Sequence, residues 1–385
     1  MPRVEHPGSA EDAAALLRGC ADAAETVRVR GGGTKDHLGI RRPTVVILET
    51  GGLAGILDHV PEDLTVTVGA GTRLDALRDT LATHGQFLPL DPPHVGRGAT
   101  IGGMIAANSA GFGRLRYGGV RDLLLGLRAA LPDGTVARSG GRVVKNVAGY
   151  DLNKLYIGSL GTLGVVTEAT FKILPLPPVS RATSATFTGS ADAFGAADEL
   201  VRTSLRPTAL VVERTAQRHW RLVVVAAGEA APVERAMAET ARSASARGGI
   251  IEPVNEIESL LGPLREIVDA SADGAVIRAA LPLSAQTAFA EAAAAADRTA
   301  WVVADAGSGI VHVQLAGDDA TVRATADLLL ATARVLGGSA RVERSAVDGL
   351  DLFGGPEPSG AFLMRRLKDA FDPRGILEPA RSAIA

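Results

Sequence analysis

The residues best placed to do chemistry begin with Gly31-Gly32-Gly33-Thr34-Lys35, which directly follows Val27-Arg28-Val29-Arg30. Alternating apolar and charged residues are the pattern of a half-buried strand. Successive backbone N–H groups in a glycine turn can form an anion-binding nest, to which the Thr34 hydroxyl and the Lys35 ammonium would add charge-assisted bonds. A diphosphate suits that set of donors, although the same string can be a plain turn. A GxGxxG dinucleotide motif fails here because Asp36 takes the third glycine position, and no helix is evident after it. No GxxxxGK[ST] string occurs, which excludes a P-loop. A β-branched residue in place of Gly32 is expected to disfavour positive φ and to push the backbone away from an anion.

A second stretch, Pro92 to Gly111, is almost all small residues. It is poor material for a core and suits a flat aromatic ligand lying on the backbone, with Thr100 and Asn108 as its polar groups. Of 45 glycines, 28 fall in residues 1–177, clustered after short β-like runs. Such clusters mean turns or close backbone approach, here to one long ligand crossing several loops.

The elements that must position these loops read as follows. Residues 9–19 form a short helix with Ser9 as N-cap and Gly19 at its end. Strands are expected at Val27–Arg30, Thr44–Leu48, Leu64–Val68 and Val165–Leu174. The spacing of Leu74, Leu77 and Leu81 predicts a helix stopped by Gly85. The Pro132-Asp133-Gly134 turn predicts a hairpin between Asp122–Ala130 and Thr135–Arg138. Pro175-Leu176-Pro177-Pro178 and a fall in glycine density place the domain boundary after residue 177. Residues 178–385 alternate seven strand candidates with alanine-rich helices, an α+β pattern of paired layers rather than a doubly wound nucleotide fold.

Composition excludes several classes. A net charge of −3 gives no electrostatic case for nucleic acid. The single cysteine, Cys20, rules out a disulfide framework and an iron–sulfur cluster held by this chain alone. No apolar run approaches the ~18 residues of a membrane span, and the start lacks a signal-peptide core. The expectation is a cytoplasmic protein, or a peripheral one held by partners at the inner face of the plasma membrane.

The strings VRVRGGGTKDHLG, TVTVGAGTRLDALRDTLATHGQFLPLDPPH, ATIGGMIAANSAG, YGGVRDLLLGLRAALPDG and GSLGTLGVVTEATFKILP follow in order. Together they resemble the FAD-binding domain of the vanillyl-alcohol oxidase/p-cresol methylhydroxylase superfamily. GGRVVKNVAGYDLNKLYIGSLGTLGVVTE more specifically resembles the E subunits of bacterial glycolate oxidases, which work with a second flavin subunit and an iron–sulfur subunit. The likeness covers most of residues 25–177. It thins beyond Pro178 to IRAALP at residues 277–282 and the closing FDPRGILEPAR. It implies a two-subdomain FAD-binding domain followed by a ferredoxin-like α+β cap. By the same resemblance, Gly31, Gly32, Gly33, Thr34 and Lys35 would hold the FAD pyrophosphate. Thr100, Gly102, Gly103, Ala106 and Asn108 would flank phosphates, ribityl chain and flavin, and Gly161, Gly164, Val165 and Val166 the adenosine half. Relatives that attach FAD covalently use a histidine directly after the loop glycines or a cysteine in the second cluster. Thr34 stands at the first place and Cys20 lies far upstream, so non-covalent FAD is expected. His37 reads as a surface residue.

Oxidising a 2-hydroxy acid needs a base for the hydroxyl proton and a cation for the carboxylate. Catalytic relatives carry a string like H-x-x-GDGN-x-H. The nearest here, Asp305 to His312, lacks the partner histidine and the asparagine. His312 therefore reads as a partly buried structural histidine and Arg278 as either a carboxylate clamp or an acid's partner; both are the only catalytic candidates. Seven histidines without i,i+4 spacing give no metal-site signal. Three functions follow in order of preference: an FAD-carrying subunit of a glycolate (2-hydroxy acid) oxidase-type complex, a self-sufficient FAD-dependent dehydrogenase, and a scaffold that keeps the fold without redox chemistry.

Overall fold

Two strands that the alternation pattern picks out, Val27–Arg30 and Val46–Glu49, pair in parallel, and Arg3–Glu5 joins the far side of Val46–Glu49. The computed structural model describes residues 1–39, 43–141, 151–269, 274–353 and 360–378. Those of the strings quoted above that fall on 142–150 and 379–381 lie outside the described residues. The chain divides into two units, one of residues 1–110, 118–176 and 357–385, the other of 111–117 and 177–356. The division after residue 177 thus meets two exceptions, at 111–117 and at the C-terminal stretch, which groups with the glycine-rich unit.

In the first unit the small parallel sheet is covered by the helix Ala10–Asp22, whose Ser9 hydroxyl accepts from Asp12 N at 3.0 Å. That helix runs past Gly19 to Asp22. Helix interiors tolerate a lone glycine at a cost of about 1 kcal/mol. A five-stranded antiparallel sheet runs Ile56–Val60, Thr65–Gly69, Val165–Lys172, Leu124–Ala130, Val136–Gly140. Leu74, Leu77 and Leu81 of the helix Leu74–Ala82 and Ile101, Met104 and Ile105 of the helix Ile101–Ala107 share its core.

The second unit holds an eight-stranded antiparallel sheet in the order Ile250–Pro253, Val179–Phe187, Trp220–Gly228, Ala209–Arg214, Trp301–Asp305, Ile310–Leu315, Ala275–Ala280, Ser339–Ser345. The helices Ser190–Val201, Gln286–Ala296 and Asp319–Val335 bury alanines, Phe289 and Leu329 against one face. Alanine lets those helices approach the sheet closely. Phe112, Leu261, Leu264 and Ile267 cover part of the other face. The α+β class expected from the sequence is the class observed.

Candidate functional site

Three segments of the first unit converge on one cleft. The strand Val27–Arg30 delivers the loop Gly31–Asp36. The helix Ile101–Ala107 delivers Thr100, Gly102, Gly103 and Ala106, and a third loop delivers Ser159, Leu160, Gly161 and Gly164, with Val166 from the strand that follows it. The loops are tied together by backbone bonds: Gly158 N donates to Ile105 O at 3.0 Å, and Leu160 N to Ala106 O at 2.9 Å. The Ala106 carbonyl at the end of that helix is satisfied by the loop it positions, and the Ile105 carbonyl accepts from both Asn108 N and Gly158 N.

The glycines are required by what lies against them. A Cβ on Gly31 would collide with the Thr100 hydroxyl, and one on Gly32 with the Gly98 carbonyl oxygen. One on Gly102 would sit 3.0 Å from the Ala70 Cβ. Gly33 alone of the triple has positive φ, at 72°. The expectation that Gly32 needs positive φ is therefore replaced by a tight approach of two backbones. Thr100 accepts from Gly103 N at 3.3 Å, capping the helix, and cannot move aside for a side chain on Gly31 without losing that bond.

Charge around the loop is arranged in pairs. Arg30 spans the turn to Asp36 at 3.2 Å and to Glu49 at 3.3 Å. Lys35 Nζ lies 3.4 Å from Nδ1 of His94. His94 is 1% exposed and adopts positive φ, 71°. His37 is half-buried, its ring centroid 6.1 Å from that of His94, rather than at the surface. Cys20 is buried in the helix Ala10–Asp22.

Of the fourteen cofactor candidates, Gly31, Gly32, Gly33, Thr34, Lys35, Thr100, Gly102, Gly103, Ala106, Gly161, Gly164 and Val166 line the cleft. Two do not. Val165 points into the core beside Val27 and Val46, because strand alternation sends it to the face opposite Val166. Asn108 ends the helix with φ 50° and lies outside the lining. Ser159, Leu160, Ala107 and Thr50 line it without having been singled out. Ser159 and Leu160 sit inside the GSLGTLG string, and their loop position was the available signal. His94 carried no such signal, since its burial depends on nonlocal packing.

The two catalytic candidates lie in the second unit and meet there. Arg278 and His312 are direct register partners on neighbouring strands. The string Asp305 to His312 forms a hairpin turn, with Ser308 N and Gly309 N donating to Asp305 O. His312 Nε2 stands 3.2 Å from Glu343 Oε2.

Residues 2–140 match the family of the FAD binding domain. The chain is 44% identical to glycolate oxidase subunit GlcE of Escherichia coli (strain K12) over 40% of its own length and 43% of that protein's. It is 34% identical to glycolate oxidase subunit GlcD of Bacillus subtilis (strain 168), over 53% of this chain and 43% of that one. It is 36% identical to D-lactate dehydrogenase of Archaeoglobus fulgidus, over 54% and 46%. The matches thus span less than half the length of these relatives. Among solved structures, p-cresol methylhydroxylase with substrate bound aligns at a TM-score of 0.76 and 18% identity, over 99% of this chain and 88% of that one. Alkyldihydroxyacetonephosphate synthase aligns at 0.75 and 17%, over 97% and 76%. The fold is the one these two enzymes share. No described helix is long and apolar enough to cross a membrane.

FAD fits the cleft. Gly31 and Gly32 leave no room there for a Cβ, Thr34 and Thr100 line the cleft beside them, and Lys35 brings a cation to the glycine loop.

Proposed function

We propose that the chain is the FAD-binding subunit of a glycolate (2-hydroxy acid) oxidase-type enzyme, holding FAD without a covalent bond. The observation that carries this reading is the convergence of twelve candidate residues on one cleft, nine of them within the stretch that matches the FAD binding domain, together with the 44% identity to a glycolate oxidase subunit. Bound there, FAD would supply a two-electron acceptor for the substrate. The chain's own part is to bind and orient it. Lys35 and the N–H groups of Gly31–Gly33 would neutralise and fix the diphosphate, and the small residues Gly102, Gly103 and Ala106 would let the flat ring lie near the helix Ile101–Ala107.

The partners in this reading are a second FAD-linked oxidase subunit and an iron–sulfur subunit, acting on a small 2-hydroxy acid. The non-covalent bond is supported by Thr34 directly after the loop glycines and by Cys20 being buried away from the cleft. The test is purification alone and after co-expression with the two partners. The expected results are a yellow protein whose FAD is released intact by acid, and a stable complex containing flavin and iron. Colour that stays with the denatured polypeptide would refute the non-covalent part. Failure of the three chains to co-purify would refute the subunit part. The 36% identity to a D-lactate dehydrogenase and the meeting of Arg278 with His312 favour a second reading, a dehydrogenase that turns over its acid unaided.

A further inference from the structure

The second unit carries a charged cluster that the flavin cleft does not use. Arg278 is the register partner of His312 on one side and of Arg341 on the other. Side chains directly opposite on adjacent strands share a face, so the three stand in a row across three strands. Their neighbours Ile277, Ala279, Val311, Val313 and Val342 point the other way into the alanine-rich core. Glu343, two residues beyond Arg341, returns to this face. Its carboxylate lies 3.2 Å from His312 Nε2 and 3.2 Å from Arg341 Nη2.

The two guanidiniums of the row, Arg278 and Arg341, stand with His312 over one carboxylate, and the Arg278 guanidinium has no hydrogen bond or ion pair among the described residues. A half-buried guanidinium with no hydrogen bond of its own keeps its N–H donors available to an anion on this face. The donors are of the type that grip carboxylates. Two of them, His312 and Arg341, are already engaged by a carboxylate that belongs to the chain.

We infer that Glu343 is a built-in carboxylate that occupies the anion position of this cluster and withholds His312 and Arg341 from a small acid ligand, leaving Arg278 as its remaining partner. A tethered group competes at an effective concentration of order millimolar or above, so a free monocarboxylate meets a site already filled. Burial by itself would raise the Glu343 carboxyl, but His312, Arg341 and Arg278 hold it well below the ordinary carboxylate range, and it is charged at neutral pH. The ligand class follows from the donors; that the acid is a 2-hydroxy acid rests on the function proposed above.

The experiment is calorimetric titration of glycolate and oxalate into the full-length, FAD-loaded chain, without turnover. Glu343→Gln keeps the shape and removes the charge, and is expected to bind glycolate, and oxalate as well, at least tenfold more tightly than the wild type. Adding Arg278→Ala to it should remove the gain. Circular dichroism reports whether each variant is folded. Should Glu343→Gln not fold, Glu343→Asp, which draws the carboxylate back by one methylene, is expected to show a smaller gain in the same direction. Equal or weaker binding by whichever of the two variants is folded overturns the inference, as does a gain that survives Arg278→Ala. Because the readout is binding, its failure is separate from failure of the oxidase reading, which is tested by flavin release and co-purification.

Discussion

At Gly32 the requirement is set by a single carbonyl oxygen, that of Gly98, which stands where a side chain would begin. Overpacking of this kind costs about 1–3 kcal/mol, here taken from the loop that would hold the diphosphate. Gly32→Val is therefore expected to lower bound FAD at least tenfold while the second unit keeps its secondary structure. Gly96→Ala, where nothing lies within 4 Å, should leave flavin content unchanged. Absorbance at 450 nm per chain checks both, and a fully loaded Gly32→Val would move the phosphate site elsewhere. The glycine loop was legible in the sequence because clustered glycines have few other uses, but the reason for Gly32 was not, since the Gly98 carbonyl arrives from 66 residues away. At Glu343 the prediction concerns acid. Its folded carboxyl titrates well below the ordinary 4.5, so the unfolded chain binds more protons as pH falls below that value, and the stability from this group is lost on the way down. The melting temperature of the wild type should exceed that of Glu343→Gln at pH 7, and the gap should narrow progressively as pH falls below 4.5. A constant gap would show that the ion pairs are not its source.

At the scale of elements, the C-terminal stretch braces the strand that carries the loop. Val27 N donates to Ile376 O at 2.8 Å, Glu378 N donates back to Val27 O, and the Glu378 carboxylate pairs with Arg28. The stretch is held by Asp372, fully buried, which accepts from Ile376 N, Leu377 N and the Lys368 ammonium. Lys368 also donates to the carbonyls of Thr162 and Leu377, and burial lowers its pKa against the pull of Asp372. Removing one partner of a buried pair costs about 3–5 kcal/mol. Asp372→Ala is expected to lose that much in urea unfolding and to release FAD more readily, although it lies outside the cleft lining. Unchanged flavin retention would show that the brace supports stability alone. The alanine-rich stretches expected to be helical at Pro232–Ala246 and Asp319–Leu336 form the helices Ala230–Ala246 and Asp319–Val335, the second capped by Asp318, which accepts from Thr321 N. The exposed edge strand Ile250–Pro253 and the helix Ile257–Arg265 were not legible in the sequence. The first has no alternation to read, and the second contains Pro263, a breaker that the last turn of a helix accommodates here.

At the scale of the whole molecule, the two sets of residues that a hydroxy-acid oxidation would need belong to different units: the glycine loops to one, Arg278 and His312 to the other. The sequence indicated each set separately and could not place the C-terminal stretch, since the contacts that return it to Val27 span about 350 residues. Each set is also short of a part. His312 faces Glu343, and no second histidine stands with it in the quoted string. The electron-exit side needs thiolates if it is to pass electrons singly to a relay, and the only cysteine of the chain is buried in a helix. The isolated, FAD-loaded protein is therefore expected to oxidise glycolate or D-lactate negligibly, even with an artificial dye that removes the need for a relay. Turnover should appear when a second flavin subunit and an iron–sulfur subunit are co-expressed with it, and Gly32→Val should reduce the turnover of that complex in proportion to the flavin it loses. Dye-linked turnover of the lone chain near the rate of the complex would overturn the subunit reading. It would also make Arg278 and His312 the first residues to substitute, with Glu343→Gln expected to raise the affinity for the acid rather than the rate.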